Sequence, residues 1–201
     1  MNPTEDRDRA IRWARGLLAS DNWRILDTET TGISEPEPIQ IAILSSTGEV
    51  LLDTLVMPTG EISESAEAVH GWTLEKLRAA GAPEFSAVYP RLAELLNDRV
   101  VVVYNAQYDS SSLHYTCWLR GAERLRAVWD CAMHRYAEFI GEPRRGRYGQ
   151  PIQAYRWQKL PGAGHSAVED CRAVLALIRM MAGARLSTEE ENVQGTTELH
   201  Q

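Results

Sequence analysis

Cysteine is scarce in this chain. Three occur in 201 residues, Cys117, Cys131 and Cys171, an odd number with no C-x-x-C pair. That argues against a disulfide framework or a thiolate zinc cluster and points to a reducing compartment. An excess of positive charge is also missing: the formal net charge is −7 and the isoelectric point about 5.3. Such a balance argues against holding nucleic acid by bulk charge. It leaves room for an enzyme that touches a few phosphates locally and relies on metal ions for the rest. Long apolar runs are absent too. The longest, "VVVVY" at Val100–Tyr104, is far too short to span a bilayer. The N-terminal "MNPTEDRDRAIRWARGLLAS" is charged throughout and lacks the apolar core of a signal peptide. The expectation is a soluble cytoplasmic protein with no membrane partner. No internal repeat is present.

What the chain does have is an ordinary globular composition, 44% hydrophobic, in a length sufficient for one domain with a real core. Residues 5–19 carry Ile11, Trp13, Leu17 and Leu18 on a charged background, the pattern of a short helix. "WRILDTET", "PIQIAILSSTG" and "EVLLDTLVMP" read as three strands, the last two joined by a turn at Thr47-Gly48. Helical pattern follows in "TLEKLRAAG", with Gly81 as C-cap, and in "FSAVYPRLAELLND", where Pro90 must kink or restart the helix. "RVVVVYN" is a buried central strand, "SSSLHYTCWLRGA" a helix, "LRAVWD" a short strand and "CAMHRYAEFIG" a helix. Residues 141–164 are rich in glycine and proline and read as loop. A final helix spans Ser166–Ala182. This order predicts an α/β fold, a mixed sheet with helices on both faces. It also divides the chain into an N-terminal helical extension (1–21), a main domain (22–185) and a polar, acidic, disordered tail (186–201).

The unusual feature lies in "RILDTETTG". Strand side chains alternate, so Asp27 and Glu29 point the same way. Two like charges side by side repel unless something positive holds them; for a lone D-x-E a solvated strand end is the better reading. Two further segments repeat the oddity. The buried run of valines discharges into "NAQYD", placing Asp109 just past the end of a central strand. In "GHSAVEDC", Ser166 and Glu169 form an S-x-x-E capping box. His165 then falls just before the helix and Asp170 inside its first turns, beside an apolar stripe of Val168, Cys171, Val174, Leu175, Ile178 and Met181. Four carboxylates and a histidine at the edges of apolar elements, without cysteine, favour Mg²⁺ or Mn²⁺ over zinc.

"DTETTG", "NAQYD" and "HSAVED", in that order, resemble the three motifs of the DEDDh (DnaQ-like) 3′–5′ exonuclease family. "AVHGWTLEKLRAAG" is similar to that family's H-G-[IL]-T segment. The likeness runs from about Trp23 to Met181. It implies an RNase H-like fold with a five-stranded mixed sheet. It also implies metal-dependent hydrolysis of DNA or RNA from a free 3′ end, releasing nucleoside 5′-monophosphates. Asp27, Glu29, Asp109 and Asp170 match the ligands of two Mg²⁺ or Mn²⁺ ions, and His165 matches the general base of the histidine subgroup. Where the family often has H-N-A-x-F-D, Tyr104 and Tyr108 stand here. Thr30 and Thr31, beside Gly32, are expected to approach a 3′-hydroxyl through their backbone. His70, Trp72, Asn105 and Tyr108 complete the expected substrate contacts, the aromatic ones by stacking. Arg144, Arg145, Arg147, Arg156 and Lys159 form the strip expected to touch phosphates. A polymerase partner and a homodimer are both compatible with this reading.

Two rivals follow from the same residues. D-x-[DE]-x-T also suggests a phosphatase with an aspartyl nucleophile, but that chemistry wants a second aspartate where Glu29 stands and a lysine that is not evident. A non-catalytic interaction module with an exonuclease fold would be expected to have lost a ligand, and all five positions are filled.

Overall fold

The computed structural model describes residues 2–164 and 166–189. Helix α1 spans Pro3–Leu18, opened by Asn2, whose side chain accepts from the Glu5 amide, with Pro3 in the first turn where no amide hydrogen is needed. Strands β1 (Trp23–Thr30), β2 (Pro38–Ser45) and β3 (Val50–Leu55) follow. Then come α2 (Glu64–His70), α3 (Leu74–Ala79) and α4 (Phe85–Leu96), the first two capped by the hydroxyls of Ser63 and Thr73. β4 (Val100–Val103) leads into α5 (Ala106–Leu119), and β5 (Val128–Cys131) into α6 (Ala132–Ile140). A short pair, β6 (Pro143–Arg145) and β7 (Pro151–Tyr155), precedes α7 (Ala167–Ala182). None of these helices is long and apolar enough to cross a membrane.

The structure departs from the sequence reading in several places. α4 is one helix running through Pro90, which only forfeits one amide hydrogen bond. α5 begins at Ala106, so Asp109 sits in its first turn and not in a strand exit; the Asn105 carbonyl already accepts from the amides of Tyr108 and Asp109. The stretch read as loop contains the β6–β7 hairpin. Ser187–Glu189, placed by the sequence reading in the tail, make a helical turn. Residues 190–201, the rest of that tail, lie outside the described residues, as does His165.

The chain divides into two compact units. One comprises residues 21–132 and 160–175. Its sheet has the order β3-β2-β1-β4-β5, with β1, β2 and β3 antiparallel and β1, β4 and β5 parallel. On one face, Leu26, Ile41, Ile43, Val101 and Val103 pack with Phe85, Leu92 and Leu96 of α4 and Leu113 and Cys117 of α5. Fully burying a side chain of this size contributes about 1.5–3 kcal/mol. The alternate positions Ile25, Ala42, Leu44 and Val102 are equally buried. On that side the start of α7 lies close, Cys171 Sγ reaching the Ala42 carbonyl. β1 pairs with β2 to its end but with β4 only through Trp23–Ile25. Its last residues therefore project past β4, at the carboxyl ends of the parallel strands, where open α/β sheets bind ligands.

The other unit comprises residues 2–20, 133–159 and 176–189 of those described. Buried Asp6 accepts from Arg9 (2.6 Å) and from the Tyr155 phenol (2.5 Å), and Arg9 also reaches Glu138 at 2.8 Å. Arg15 donates to the carbonyls of Ala182 and Ala184 and pairs with Glu189, while Asp8 accepts from the amide and hydroxyl of Ser187. These bonds hold Ser187–Glu189 in place.

Candidate active site

The end of β1 is built from alternation. Asp27 and Glu29 lie on one face, opposite Ala42 and Gln40 of β2, while Thr28 and Thr30 turn to the other. A register shift between Glu29 and Thr30 marks a bulge where the strand leaves the sheet. Asp170, in the first turn of α7, approaches the Asp27 face. One carboxylate oxygen from each of Asp27, Glu29 and Asp170 lies within 4.8 Å of the others. Asp109 comes from α5 on the other side of β1. It is 5% exposed, and the Thr28 hydroxyl donates to it at 2.9 Å.

This concentration of carboxylates is electrostatically unfavourable by itself. Burial first, and then the charges of Asp109, Asp170 and Glu29, raise the Asp27 carboxyl well above the usual range. Burial likewise pushes Asp109 up to about 7, against the hydrogen bond from Thr28. Among the described residues, no lysine or arginine forms an ion pair with Asp27, Asp109 or Asp170. Asp170 accepts a hydrogen bond from the Gly164 amide at 2.7 Å. A part-buried cluster of hard oxygen donors fits a divalent cation of the magnesium class.

Beside Glu29 opens a cavity of about 320 Å³, lined by Thr28, Thr30, Gly32, Ile33, Ala66, Val69, His70 and Tyr108. Its lip is apolar and open to solvent: Ile33 is 91% and Val69 54% exposed. Its walls are fixed by hydrogen bonds. The Trp72 amide donates to His70 Nδ1 (3.0 Å), which leaves Nε2 to donate to the Thr30 carbonyl (3.2 Å). His70 is thus held neutral, and burial lowers its pKa further. The Tyr108 phenol donates to the Gly32 carbonyl at 2.6 Å, and its oxygen lies 2.5 Å from Thr30 Oγ1. Gly32 has φ +150°, and a Cβ there would stand 2.9 Å from Ser63 Oγ, so the turn after β1 requires glycine. A larger neighbouring cavity, about 570 Å³, is lined by Glu35, Glu37 and Glu61 and by none of the four carboxylates above. Glu37 there is committed to the amides of Thr59 and Gly60.

The structure therefore brings Asp27, Glu29 and Asp170 together, sets Asp109 beside them through Thr28, and lines the adjoining cavity with Thr30, His70 and Tyr108. Trp72, Thr31 and Asn105 are not among the residues that line this cavity. Trp72 packs against the small core of Ile39, Ile62 and Leu77. The Thr31 amide is already bonded to the Glu37 carbonyl at 2.9 Å, and its hydroxyl accepts from the Glu37 amide. Asn105 is exposed, and its carbonyl accepts from the first amides of α5. Sequence reasoning missed Thr28, Ile33 and Val69. Thr28 was legible in principle, since it alternates with the two carboxylates; Val69 was not, because only the placement of α2 brings it to Glu29.

The exonuclease family model RNase_T matches residues 25–178. An uncharacterised exonuclease, CP81 of Escherichia phage 186, is 34% identical over 192 residues, covering 87% of this chain and 92% of that protein. RNA exonuclease 4 of Mycosarcoma maydis is 28% identical over 79% of this chain, which spans only 42% of that protein. Among solved structures, Exonuclease X in complex with 5′-overhanging duplex DNA is similar with a TM-score of 0.55 at 23% identity, over 83% of this chain and 96% of that one. E. coli Exonuclease I in complex with a dT13 oligonucleotide gives a TM-score of 0.61 at 15% identity, over 88% and 43% of the two chains. These structures share the fold.

Proposed function

The chain belongs to the RNase_T (DnaQ-like) exonuclease family, and from that premise we propose that it is a divalent-metal-dependent 3′–5′ exonuclease with a histidine general base. The observation that carries this reading is the convergence of Asp27, Glu29 and Asp170, with buried Asp109 alongside. Asp27, Glu29 and Asp170 would hold one Mg²⁺ or Mn²⁺ ion, and Asp109 with Asp27 a second. When bound, such ions neutralise the phosphodiester and stabilise the attacking and leaving oxygens of an in-line displacement. The chain's own residues do the rest. The cavity beside Glu29 is apolar at Ile33 and Val69, which suits the terminal nucleoside. The hydrogen-bonded wall of Thr30, His70 and Tyr108 keeps that cavity in shape without an ordering cost on binding.

His165 is assigned the attacking water's proton. The support is its place in the third motif, one residue from Gly164, whose amide is bonded to Asp170. An ordinary histidine, with a pKa of about 6.5, is mostly neutral at pH 7 and able to accept. Both DNA and RNA are compatible with the relatives, and the assay covers both. Single-stranded and duplex DNA and RNA, labelled at the 5′ end, are incubated with Mg²⁺ or Mn²⁺. The expected result is a descending ladder and nucleoside 5′-monophosphates. Asp27→Asn should abolish cleavage. His165→Ala should lower kcat by roughly 10²–10⁴-fold, the usual worth of general-base assistance, while metal binding persists. Cleavage by Asp27→Asn at the wild-type rate, or a single internal cut, would overturn the reading.

A further inference from the structure

Residues 143–159 contain Arg144, Arg145, Arg147, Arg156 and Lys159 and no aspartate or glutamate. The segment carries +5 in a chain of net charge −7, leaving −12 on the remainder. It folds as the β6–β7 hairpin and the strand exit that follows, with Pro143 opposite Tyr155 and Arg145 opposite Pro151. All five basic residues are exposed. Elsewhere, Arg9, Arg15, Arg91, Arg120, Arg126 and Arg135 each pair with a carboxylate. Of the hairpin's five, only Arg156 does so among the described residues, with Glu142 at 2.8 Å. Arg145 donates to the Gly149 carbonyl within the hairpin, which orients its guanidinium without neutralising it.

Two large aromatic side chains accompany these charges. Tyr148, at the tip, is 87% exposed, and Trp157, after β7, is 56% exposed. Trp157 is held in place: Arg144 lies over its ring with 5.7 Å from Cζ to the centroid, and His134 stacks at 6.1 Å. Unneutralised guanidiniums next to an exposed tyrosine ring and a half-exposed indole suit a partner with both a phosphate backbone and π surfaces. Guanidinium forks match phosphate oxygens, and aromatic rings stack on bases of any sequence. An acidic peptide would use the charges and leave the rings idle.

We propose that this hairpin is a second nucleic-acid contact, separate from the carboxylate site, which binds the backbone and bases of a single-stranded substrate. It rests on the nuclease reading for the identity of that substrate. The hairpin gives an acidic protein a local surface of +5 on which a polyanion can be held.

The test uses the full chain and fluorescein-labelled dT20 and dT2, with binding followed by anisotropy in EDTA from 25 to 200 mM KCl. Replacing Arg144, Arg145 and Arg147 by alanine should weaken dT20 binding about tenfold or more at low salt. It should also reduce the slope of log K against log[KCl] by about 2, since each phosphate contact on a single strand contributes about 0.7. The corresponding triple lysine variant should keep most of the slope, and matching thermal midpoints establish that all variants are folded. In Mg²⁺ or Mn²⁺, the ratio of kcat/KM for dT20 over dT2 should fall in the alanine variant. Unchanged affinity and slope, or equal losses on dT20 and dT2, overturn the proposal. An equal loss on blunt duplex DNA overturns the part that assigns base contacts. The two readings fail separately. A wild-type protein that binds dT20 through the hairpin but cuts nothing sinks the nuclease assignment alone. One that cuts dT20 while the alanine variant matches it in affinity and slope sinks the hairpin alone.

Discussion

Thr28 stands between two carboxylates in sequence and serves a third in space. Its hydroxyl donates at 2.9 Å to Asp109, whose carboxyl burial pushes up to about 7. A donor to the charged form favours that form, so Thr28 keeps Asp109 closer to the state a cation needs. Thr28→Val removes the hydroxyl with little change of shape. Removing a partner of this kind typically costs about 10–100-fold in metal affinity or activity. The Mn²⁺ concentration for half-maximal activity should therefore rise by about that factor, with kcat at saturating metal largely retained; a metal titration showing the wild-type midpoint would refute the role. At this scale the sequence was informative about chemistry and poor about contacts. Asp27, Glu29, Asp109 and Asp170 are legible because carboxylates are costly at the edges of apolar elements. The packing of Trp72 on Ile39, Ile62 and Leu77 is not legible, because an aromatic beside a histidine says nothing about which core lies next to it.

The element that matters most is β1 with the turn that ends it. The turn is fastened from three sides: by the Tyr108 phenol on the Gly32 carbonyl, by the Ser63 amide on the Thr31 carbonyl, and by paired bonds between Thr31 and Glu37. Gly32 is where these fastenings leave no room for a side chain. Gly32→Ala combines a positive φ with a Cβ 2.9 Å from Ser63 Oγ. It should destabilise the protein by about 1–3 kcal/mol and raise KM, because the lip residue Ile33 moves with the turn. Thermal denaturation and steady-state kinetics check both effects, and an alanine variant with wild-type midpoint and KM would show the turn to be slack. β1, β2, β4 and α7 were readable from period and runs of apolar residues. The start of α5 was not, since "NAQYD" looks like a polar strand exit until the Asn105 carbonyl is seen to accept helical hydrogen bonds. The β6–β7 hairpin was hidden by its shortness and by its glycines and prolines.

For the molecule as a whole, the carboxylate cluster makes stability depend on pH and on metal together. The folded-state pKa of Asp109 is about 7 against about 3.9 for an unperturbed aspartate. An acid whose pKa is raised on folding contributes stability that is fully present below the unfolded value and is lost as pH rises through the folded one. Asp27 acts in the same sense. Asp6 and Asp8, whose pKa values are lowered by their hydrogen bonds, lose their contribution only in acid. His70 and His114, depressed by burial, oppose the trend below about 6.5. Their effect is largely common to the metal-free and metal-loaded protein. The rise in thermal midpoint on adding Mn²⁺ in place of EDTA should therefore grow steadily from pH 5.5 to 8. A gain independent of pH would mean that the cation binds elsewhere. The sequence by itself determined the α/β class, the order of the three acidic motifs and the grouping of hard oxygen donors in them, because periodicity and the cost of burying charge are local properties. Only the tertiary structure decided that Asp27, Glu29 and Asp170 share one face and that Asp109 reaches them through Thr28. Those facts depend on where β1 outruns β4 and on which helices pack beside it, and such placements come from contacts between residues far apart in the chain.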